Sequence, residues 1–486
     1  MPERVELRRI EEFVWEIPKS GRMRVPGRIY GSRAIIDHLL ADQPKAREWN
    51  ALLQVRNVAC LPGILNHSLA MADVHPGYGF PIGGVAAFDI EEGVVSVAGV
   101  GFDCNCGVRA LAAPIDREQV ERKKAELAEE LYRGVPAGLG SEGEFRLNRR
   151  EIDDVLRSGA EFPVRRGYGT EADLEYIEER GCVAGANPAR VSDRAKERQF
   201  RQVGTLGSGN HYLEVQYVDE VYDEGAAGAF GIGPGTVLVA IHTGSRALGH
   251  QIGTDYLPKL RAASRHYDLP VPEQELVCAP IDSPEGRDYL SAVFCGINCA
   301  FANRQAISHL TRLAFARVFG LDPASIRVLY DVGHNTAKLE RHRVGGAEKM
   351  VLVHRKGATR AFPAGNPGLP AAYRGVGQPV LVGGTMGTCS YILVGTEKGM
   401  AEPFGSAGHG AGRRKSRTQA TRDYRGGRVV GELGARGIVV KAHNLAGVAE
   451  EAPGAYKDVR EGVDAMEGAG VNRKVARLKP MICVKG

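Results

Sequence analysis

The sequence predicts an α+β fold: a single large composite domain, residues 1–486, with mixed and antiparallel sheets. Three observations lead there. Apolar, β-branched runs bounded by glycine read as strands, but they do not alternate with helices in βαβ units, which disfavours a doubly wound parallel sheet. Glycine supplies 63 of 486 residues, nearly twice the roughly 7% usual share, and has no collagen-like period. The excess therefore marks turns and close backbone approaches. Finally, no internal repeat, low-complexity tract or Pro/Ser/Gly-rich linker divides the chain.

Taken in order, Val94–Val100 is the first clear strand. Asp116 with Gln119 forms a capping-box start for a charged amphipathic helix running to about Tyr132. Ser141–Arg190 is the most polar and least periodic stretch, so an insertion or lobe is expected over 141–190. Thr236–Ile241 reads as a strand. Ile297–Phe319 reads as a helix stopped by Gly320 at its C-terminal cap. Arg327–Val332, Met350–His354, Pro379–Val382 and Tyr391–Val394 complete the strands.

Composition narrows the class. Hydrophobic residues make 43% and charged residues 25% of the chain, ordinary for a soluble globular protein. A net charge of +5 permits nucleic-acid binding without requiring it, because a local basic patch matters more than the total. The nine cysteines are odd in number and irregularly spaced, which points to a reduced, cytoplasmic protein with mostly small buried thiols. Met1-Pro2-Glu3-Arg4 carries no apolar signal core, and no run approaches the length of a membrane span.

The chemistry sits in short glycine-rich phrases where apolar runs break off. Asp103 and Cys106 lie three apart on one loop, and His211, His242 and His334 each follow an apolar run or a glycine. A thiolate can bridge two metals; carboxylate oxygen suits Mn²⁺, while imidazole suits Zn²⁺, Fe²⁺ or Ni²⁺. Taken singly, each histidine is more often a satisfied polar residue. Together with Asp-x-x-Cys they make a candidate metal centre. No His-Glu-x-x-His, Cys-x-x-Cys or Walker-type motif is present. Cys295 and Cys299 fall in a helical stretch and read as core. The loop Gly383-Gly384-Thr385-Met386 and the phrase His409-Gly410-Ala411-Gly412-Arg413 can turn backbone N–H groups toward an anion. An imidazole facing such a site can attack phosphorus.

Several phrases, in order, resemble the RtcB family of RNA ligases: Asp73-Val74-His75-Pro76-Gly77, Asp103-Cys104-Asn105-Cys106-Gly107, Gly207-Ser208-Gly209-Asn210-His211, His242-Thr243-Gly244-Ser245-Arg246, Gly333-His334-Asn335, His354-Arg355-Lys356-Gly357 and His409-Gly410-Ala411-Gly412-Arg413, with Lys485-Gly486 at the end. The resemblance runs from about residue 60 to the last. It implies a central dinuclear metal cleft and a GTP- and Mn²⁺-dependent joining of RNA 3′-phosphate or 2′,3′-cyclic phosphate ends to 5′-hydroxyl ends, in tRNA splicing or RNA repair.

By that resemblance, His409 carries GMP through a P–N bond. One Mn²⁺ is held by Asp103, Cys106 and His211, and the second by Cys106, His242 and His334. The nucleotide site falls on Asn210, His211, Tyr212, Leu213, Glu214, His334, Asn335, Gly383, Gly384, Thr385, Met386, Ser390, His409, Gly410, Ala411, Gly412, Tyr456 and Lys485. Arg246, Lys356 and Arg413 are expected on RNA or triphosphate oxygens. RNA, such as broken or spliced tRNA halves, an archease-type activator and a monomeric state are expected too. Tyr212 stands where the family would have Phe, Gly383 where it would have Pro, and Cys104 and Cys389 where cysteine is unusual. Two alternatives compete: a metal-dependent phosphoesterase using only water, and a non-catalytic RNA-binding scaffold. Loss of Asp103, Cys106 or His409 would favour the scaffold, and none is lost.

Overall fold

The computed structural model describes residues 4–43 and 50–486, so Met1-Pro2-Glu3 lies outside it. The architecture is α+β, built on two large sheets. One has seven strands in the order Arg8–Glu11, Val14–Ile17, Gly27–Tyr30, Ser68–His75, Ile82–Asp89, Ala347–Lys356, Asn335–Val344. The other runs Arg327–Gly333, Gly107–Asp116, Thr236–Thr243, Tyr212–Val221, Asn472–Lys485, Ser390–Gly395, Pro379–Val382, with Val439–Ala442 beside the C-terminal strand. Among the described residues, strands pair antiparallel except Gly27–Tyr30 on Ser68–His75 and Val439–Ala442 on Asn472–Lys485. Strands far apart in sequence thus become neighbours, as a composite rather than βαβ topology requires.

Most predicted strands lie inside longer ones, and Pro379–Val382 matches residue for residue. The capping box is present: Asp116 accepts from Gln119 N while Gln119 returns a bond to Asp116 N, starting the helix Arg117–Gly134. The expectation for Val94–Val100 is corrected. Its first half is the strand Val94–Ser96, but Val97–Val100 is a buried helical turn. A wholly apolar run fits a buried strand or a buried helix equally well. Here the turn is selected because Ser96 N donates to His354 Nε2 (3.3 Å) and Gly99 backs onto that imidazole. The long helix also begins earlier than expected, at Pro284 rather than Ile297, capped by Ser283 and ending at Gly320 in the left-handed conformation. Ser-Pro is a helix-opening signal that apolar periodicity does not register. Cys295 and Cys299 are buried in its core-facing surface.

Residues 141–190 form short helices laid on that long helix. Their apolar residues, among them Phe145, Ile152, Leu156 and Leu174, join the same cluster as Phe301 and Ile297. Polar ties add direction. Asn298 Nδ2 donates to Leu156 O (2.9 Å) and Gln305 Nε2 to Tyr168 O (2.9 Å). Arg312 grips Asp173 with both nitrogens, at 2.7 and 2.6 Å, where both side chains are almost fully buried. Among the described residues no helix is long and apolar enough to cross a membrane.

Removing one partner of a buried bidentate pair strands the other charge. Arg312→Met is therefore expected to cost about 3–5 kcal/mol in urea unfolding, while Arg165→Met, an exposed pair, costs under about 1 kcal/mol. Equal effects would mean that the Asp173 contact does not anchor these helices.

Candidate metal centre and nucleotide cavity

The ends of four neighbouring strands build the candidate metal centre. Gly107 pairs with both Thr243 and Gly333, and Tyr212 with His242. The register therefore sets Cys106, His242, His334 and His211 side by side at one edge of the second sheet. Asn105 takes a left-handed backbone (φ 53°) to swing Cys106 inward. Its carbonyl and that of Thr243 both accept from Arg304 Nη1, at 2.8 and 2.9 Å. Arg304 and Arg109 in turn share the buried Asp331. Gly333 must lack a side chain, because a methyl there would overlap Asn105 Oδ1.

Cys106 Sγ lies 3.4 Å from His211 Nε2 and 3.3 Å from His242 Nε2. His242 Nε2 lies 3.2 Å from His334 Nε2, and His211 Nε2 lies 2.9 Å from Asp103 Oδ2. Two triads result, Asp103–Cys106–His211 and Cys106–His242–His334, each with donor atoms within 4.8 Å of one another. Donors roughly 2.0–2.3 Å from one tetrahedral ion sit at comparable separations. The hydrogen-bond pattern also asks for a cation. His211 Nδ1–H donates to Leu206 O (3.0 Å), so in the neutral ring the lone pair is on Nε2, 2.9 Å from the Asp103 carboxylate oxygen. Such a carbonyl-fixed tautomer is the usual outer support of a ligating imidazole. Burial keeps His242 and His334 neutral. Burial and then Asp103 push the Cys106 thiol well up. A thiolate there therefore needs a neighbouring cation. The residues fit a metal.

Beside this centre opens a cavity of about 160 Å³ that is partly open to solvent. His409 stands on its wall with its ring 4.7 Å from that of His334. Asp73, at the end of a first-sheet strand, receives His409 Nδ1 (2.7 Å), His409 N (2.9 Å) and Gly410 N (3.3 Å), all on one oxygen. Burial pushes the Asp73 carboxyl up, but the hydrogen bonds it accepts from His409 outweigh that and hold it below its ordinary range. A carboxylate on Nδ1–H leaves Nε2 with its lone pair facing the cavity, the tautomer a nucleophilic imidazole needs.

The chain matches the family model described as "tRNA-splicing ligase RtcB" over residues 54–486. The chain belongs to this family. It is 52% identical to the tRNA-splicing ligase RtcB of Thermococcus kodakarensis, with all of both chains aligned. It is 50% identical to that of Archaeoglobus fulgidus over 99% of each, and 48% identical to that of Methanococcus maripaludis over 98% of this chain and 99% of the other.

The expected nucleotide residues divide by place. Asn210, Tyr212, Glu214, Gly383, Gly384, Thr385, Met386, His409, Gly410, Ala411, Gly412, Tyr456 and Lys485 line the cavity. Leu213, between two of them on its strand, packs into the core behind the sheet, as strand alternation requires. Ser390 sits behind the wall, holding Gly384 N and Gln216. His211 and His334 belong to the triads. Asn335 braces them by donating to Asp103 O (3.2 Å) and accepting from Gly357 N (2.9 Å). Of the expected phosphate contacts, Arg246 lies against the Asp103 side with Nε on Thr205 Oγ1 (3.2 Å). Lys356 is buried, donates to Tyr78 O and Phe80 O (2.8 and 3.0 Å), and is brought down to about 7 by burial. Arg413 lines the cavity but is spoken for by Glu451, Tyr456 and two carbonyls.

Asp73, His75, Arg417, Glu451 and Cys483 also belong to the site; Asp73 and His75 stand in a family-like phrase that assigns them no task, and no phrase assigns one to the other three. Strand alternation is the signal that could find some of them: Asp73 and His75 share a face, as do Cys483 and Lys485. Burial pushes the Glu214 carboxyl up to about 8 against the Gln216 bond and the Lys485 charge.

Tyr212 and Gly383, two of the positions expected to depart from the family pattern, lie against each other. A Cβ on Gly383 would lie 2.7 Å from Tyr212 Oη and 3.7 Å from its Cζ. Gly383 N also donates to His409 O (3.1 Å), a bond proline cannot make. The Tyr212 ring, edge-on to His242 at 5.1 Å, has little room to retreat. Gly383→Ala is thus expected to weaken binding of a nucleotide in this cavity by about 1–2 kcal/mol, and adding Tyr212→Phe to restore most of it. Calorimetric titration of the two single variants and the double variant checks this. Strictly additive losses would refute the contact.

Proposed function

We propose that this RNA ligase joins 3′-phosphate or 2′,3′-cyclic phosphate RNA ends to 5′-hydroxyl ends through a guanylylated His409, using GTP and two Mn²⁺ ions. The carrying observation is the Asp73–His409 pair, which fixes a proton on Nδ1 and aims Nε2 into a cavity beside two metal triads. His409 Nε2 attacks the α-phosphorus of GTP; a P–N bond forms and the P–O bond to pyrophosphate breaks. An oxygen of the RNA 3′-phosphate then displaces His409, giving an RNA-(3′)pp(5′)G end. The 5′-hydroxyl of the second strand attacks the 3′-phosphorus, loses its proton and expels GMP. A cyclic end is first opened by water to the 3′-phosphate.

Asp103, Cys106 and His211 would hold one Mn²⁺, and Cys106, His242 and His334 the other. When bound, the ions supply neutralisation of phosphate charge and orientation of the in-line displacement. Within the cavity, Glu214, ionised when guanine binds, would accept the guanine N1–H and N2–H donors that adenine lacks. Lys485, with Nζ on Gly209 O (2.9 Å), donates to O6, and the Tyr456 ring stacks on the base. Asn210 and the Gly383–Met386 loop bound the sugar and phosphates. A phosphoesterase activating only water would leave the Asp73–His409 pair without a task. The reading carries with it tRNA halves or broken RNAs as substrates, an archease-type activator, a monomer and a cytoplasmic setting.

Incubation with Mn²⁺ and α-phosphate-labelled GTP, followed by a denaturing gel and mild acid, tests the reading. The wild-type chain is expected to carry an acid-labile label, and His409→Ala to lose it together with ligation of 3′-phosphate ends. Ligation surviving in that folded variant would remove His409 as nucleophile. No wild-type label, even after adding an archease, would favour the phosphoesterase.

A further inference from the structure

The chain's positive excess is concentrated in one place. Residues 413–436 contain eight Arg and Lys and only two Asp and Glu, a net +6 in a chain whose total is +5. The rest of the chain is therefore net −1. This segment opens with the cavity-wall residue Arg413, continues through Arg417 at the cavity mouth, and forms the helices Arg417–Asp423 and Gly426–Ala435. Its inner face is apolar: Val429 and Leu433 pack with Ile438 and Val448 against Met386 and Cys483, which themselves line the cavity. The segment is a cover over one side of the nucleotide cavity, with its charge facing outward.

The cations on this cover divide into paired and unpaired. Lys415 holds Asp423, Arg417 holds Glu450 and Arg428 holds Glu432, while Arg436 donates to Gly387 O. Arg414, Arg422 and Arg425 are exposed and make no side-chain ion pair or hydrogen bond among the described residues. Arginines with planar donor forks left open to solvent, continuous with a cavity that handles phosphates, match the backbone of a polyanion. Their like charges repel one another, so they are a cost to the free protein that a phosphate backbone would offset.

We propose that Arg414, Arg422 and Arg425 form an RNA-docking surface that grips backbone phosphates of the strand leading to the reacting end. This rests on the ligase reading. The surface positions RNA and plays no part in charging His409.

The test compares wild type, the triple variant Arg414→Gln/Arg422→Gln/Arg425→Gln, and a charge-matched control, Arg146→Gln/Arg150→Gln/Arg194→Gln, whose three side chains are exposed elsewhere. Each is measured for His409 guanylylation by labelled GTP, and for binding of a fluorescent single-stranded 3′-phosphate RNA between about 50 and 200 mM salt. In the cover variant guanylylation should match wild type, which also shows that it folds. Its RNA Kd should rise roughly tenfold or more, and its log–log salt slope should fall by about 2, near 0.7 for each lost phosphate contact. The control should keep the wild-type slope. An unchanged Kd and slope in the cover variant, or the same loss in the control, overturns the proposal. Unchanged RNA binding with a lost response to an acidic activating protein would give the face to that protein and overturn it too. A wild-type chain that charges His409 but binds no RNA overturns the ligase reading and this surface with it.

Discussion

One sulfur atom organises the site. Cys106 Sγ stands within 3.4 Å of imidazole nitrogens of His211 and His242, and belongs to both candidate metal triads. Such a contact is tolerable only if the edges of four strands are held in register to a fraction of an ångström. The fold provides this through the pairings of Gly107 with Thr243 and Gly333, and through Arg304, which ties the loops of Cys106 and His242 to each other. Arg304, Arg109 and Asp331 are fully buried, so misplacing any of them strands a charge in low dielectric. The electrostatic cost of error beneath the site is what makes its geometry reproducible.

The second constraint is the buried Asp73 carboxylate, which joins the two sheets. It comes from a first-sheet strand and clamps the His409 loop that faces the second sheet's metal edge. Orientation, tautomer and loop conformation of His409 all depend on that one oxygen. The cavity is the space between these two fixed points. Its wall at Gly383 and Tyr212 shows how closely it is fitted, since a single added methyl would strike the tyrosine hydroxyl. Helices of residues 141–190 contribute from the far side. Glu178 accepts from Gly333 N (3.2 Å) beside His334 and pairs with Lys338 (2.7 Å).

Much of this architecture is legible in the amino-acid order. Short-range chemistry reads well: the Asp116 capping box, the Gly320 stop and strands such as Pro379–Val382 follow from local sequence. The five metal-triad residues are marked by residue type and by their position at the ends of apolar runs. Their convergence is not derivable, because strand register between residues 106, 211, 242 and 334 is a long-range property. Asp73 stands in a conspicuous phrase, yet nothing local says that its carboxylate meets a loop 336 residues away. Val97–Val100 misleads for the opposite reason: uniform apolarity carries no period. Lys356 and Arg413 show a further limit. Charge in a sequence does not tell whether a side chain ends on carbonyls inside the protein or in solvent.

The shared thiolate is the claim most open to direct measurement. Equilibrium Mn²⁺ binding, followed by electron paramagnetic resonance of free metal, should be compared for wild type, Cys106→Ser and Cys389→Ser. Two ions per wild-type chain are predicted, one for each triad. Cys106→Ser should lose tight binding of both, while Cys389→Ser, whose half-buried thiol lies outside the triads, should keep both. Two tightly bound ions retained in Cys106→Ser would contradict the account, because no single sulfur would then be holding the centre together.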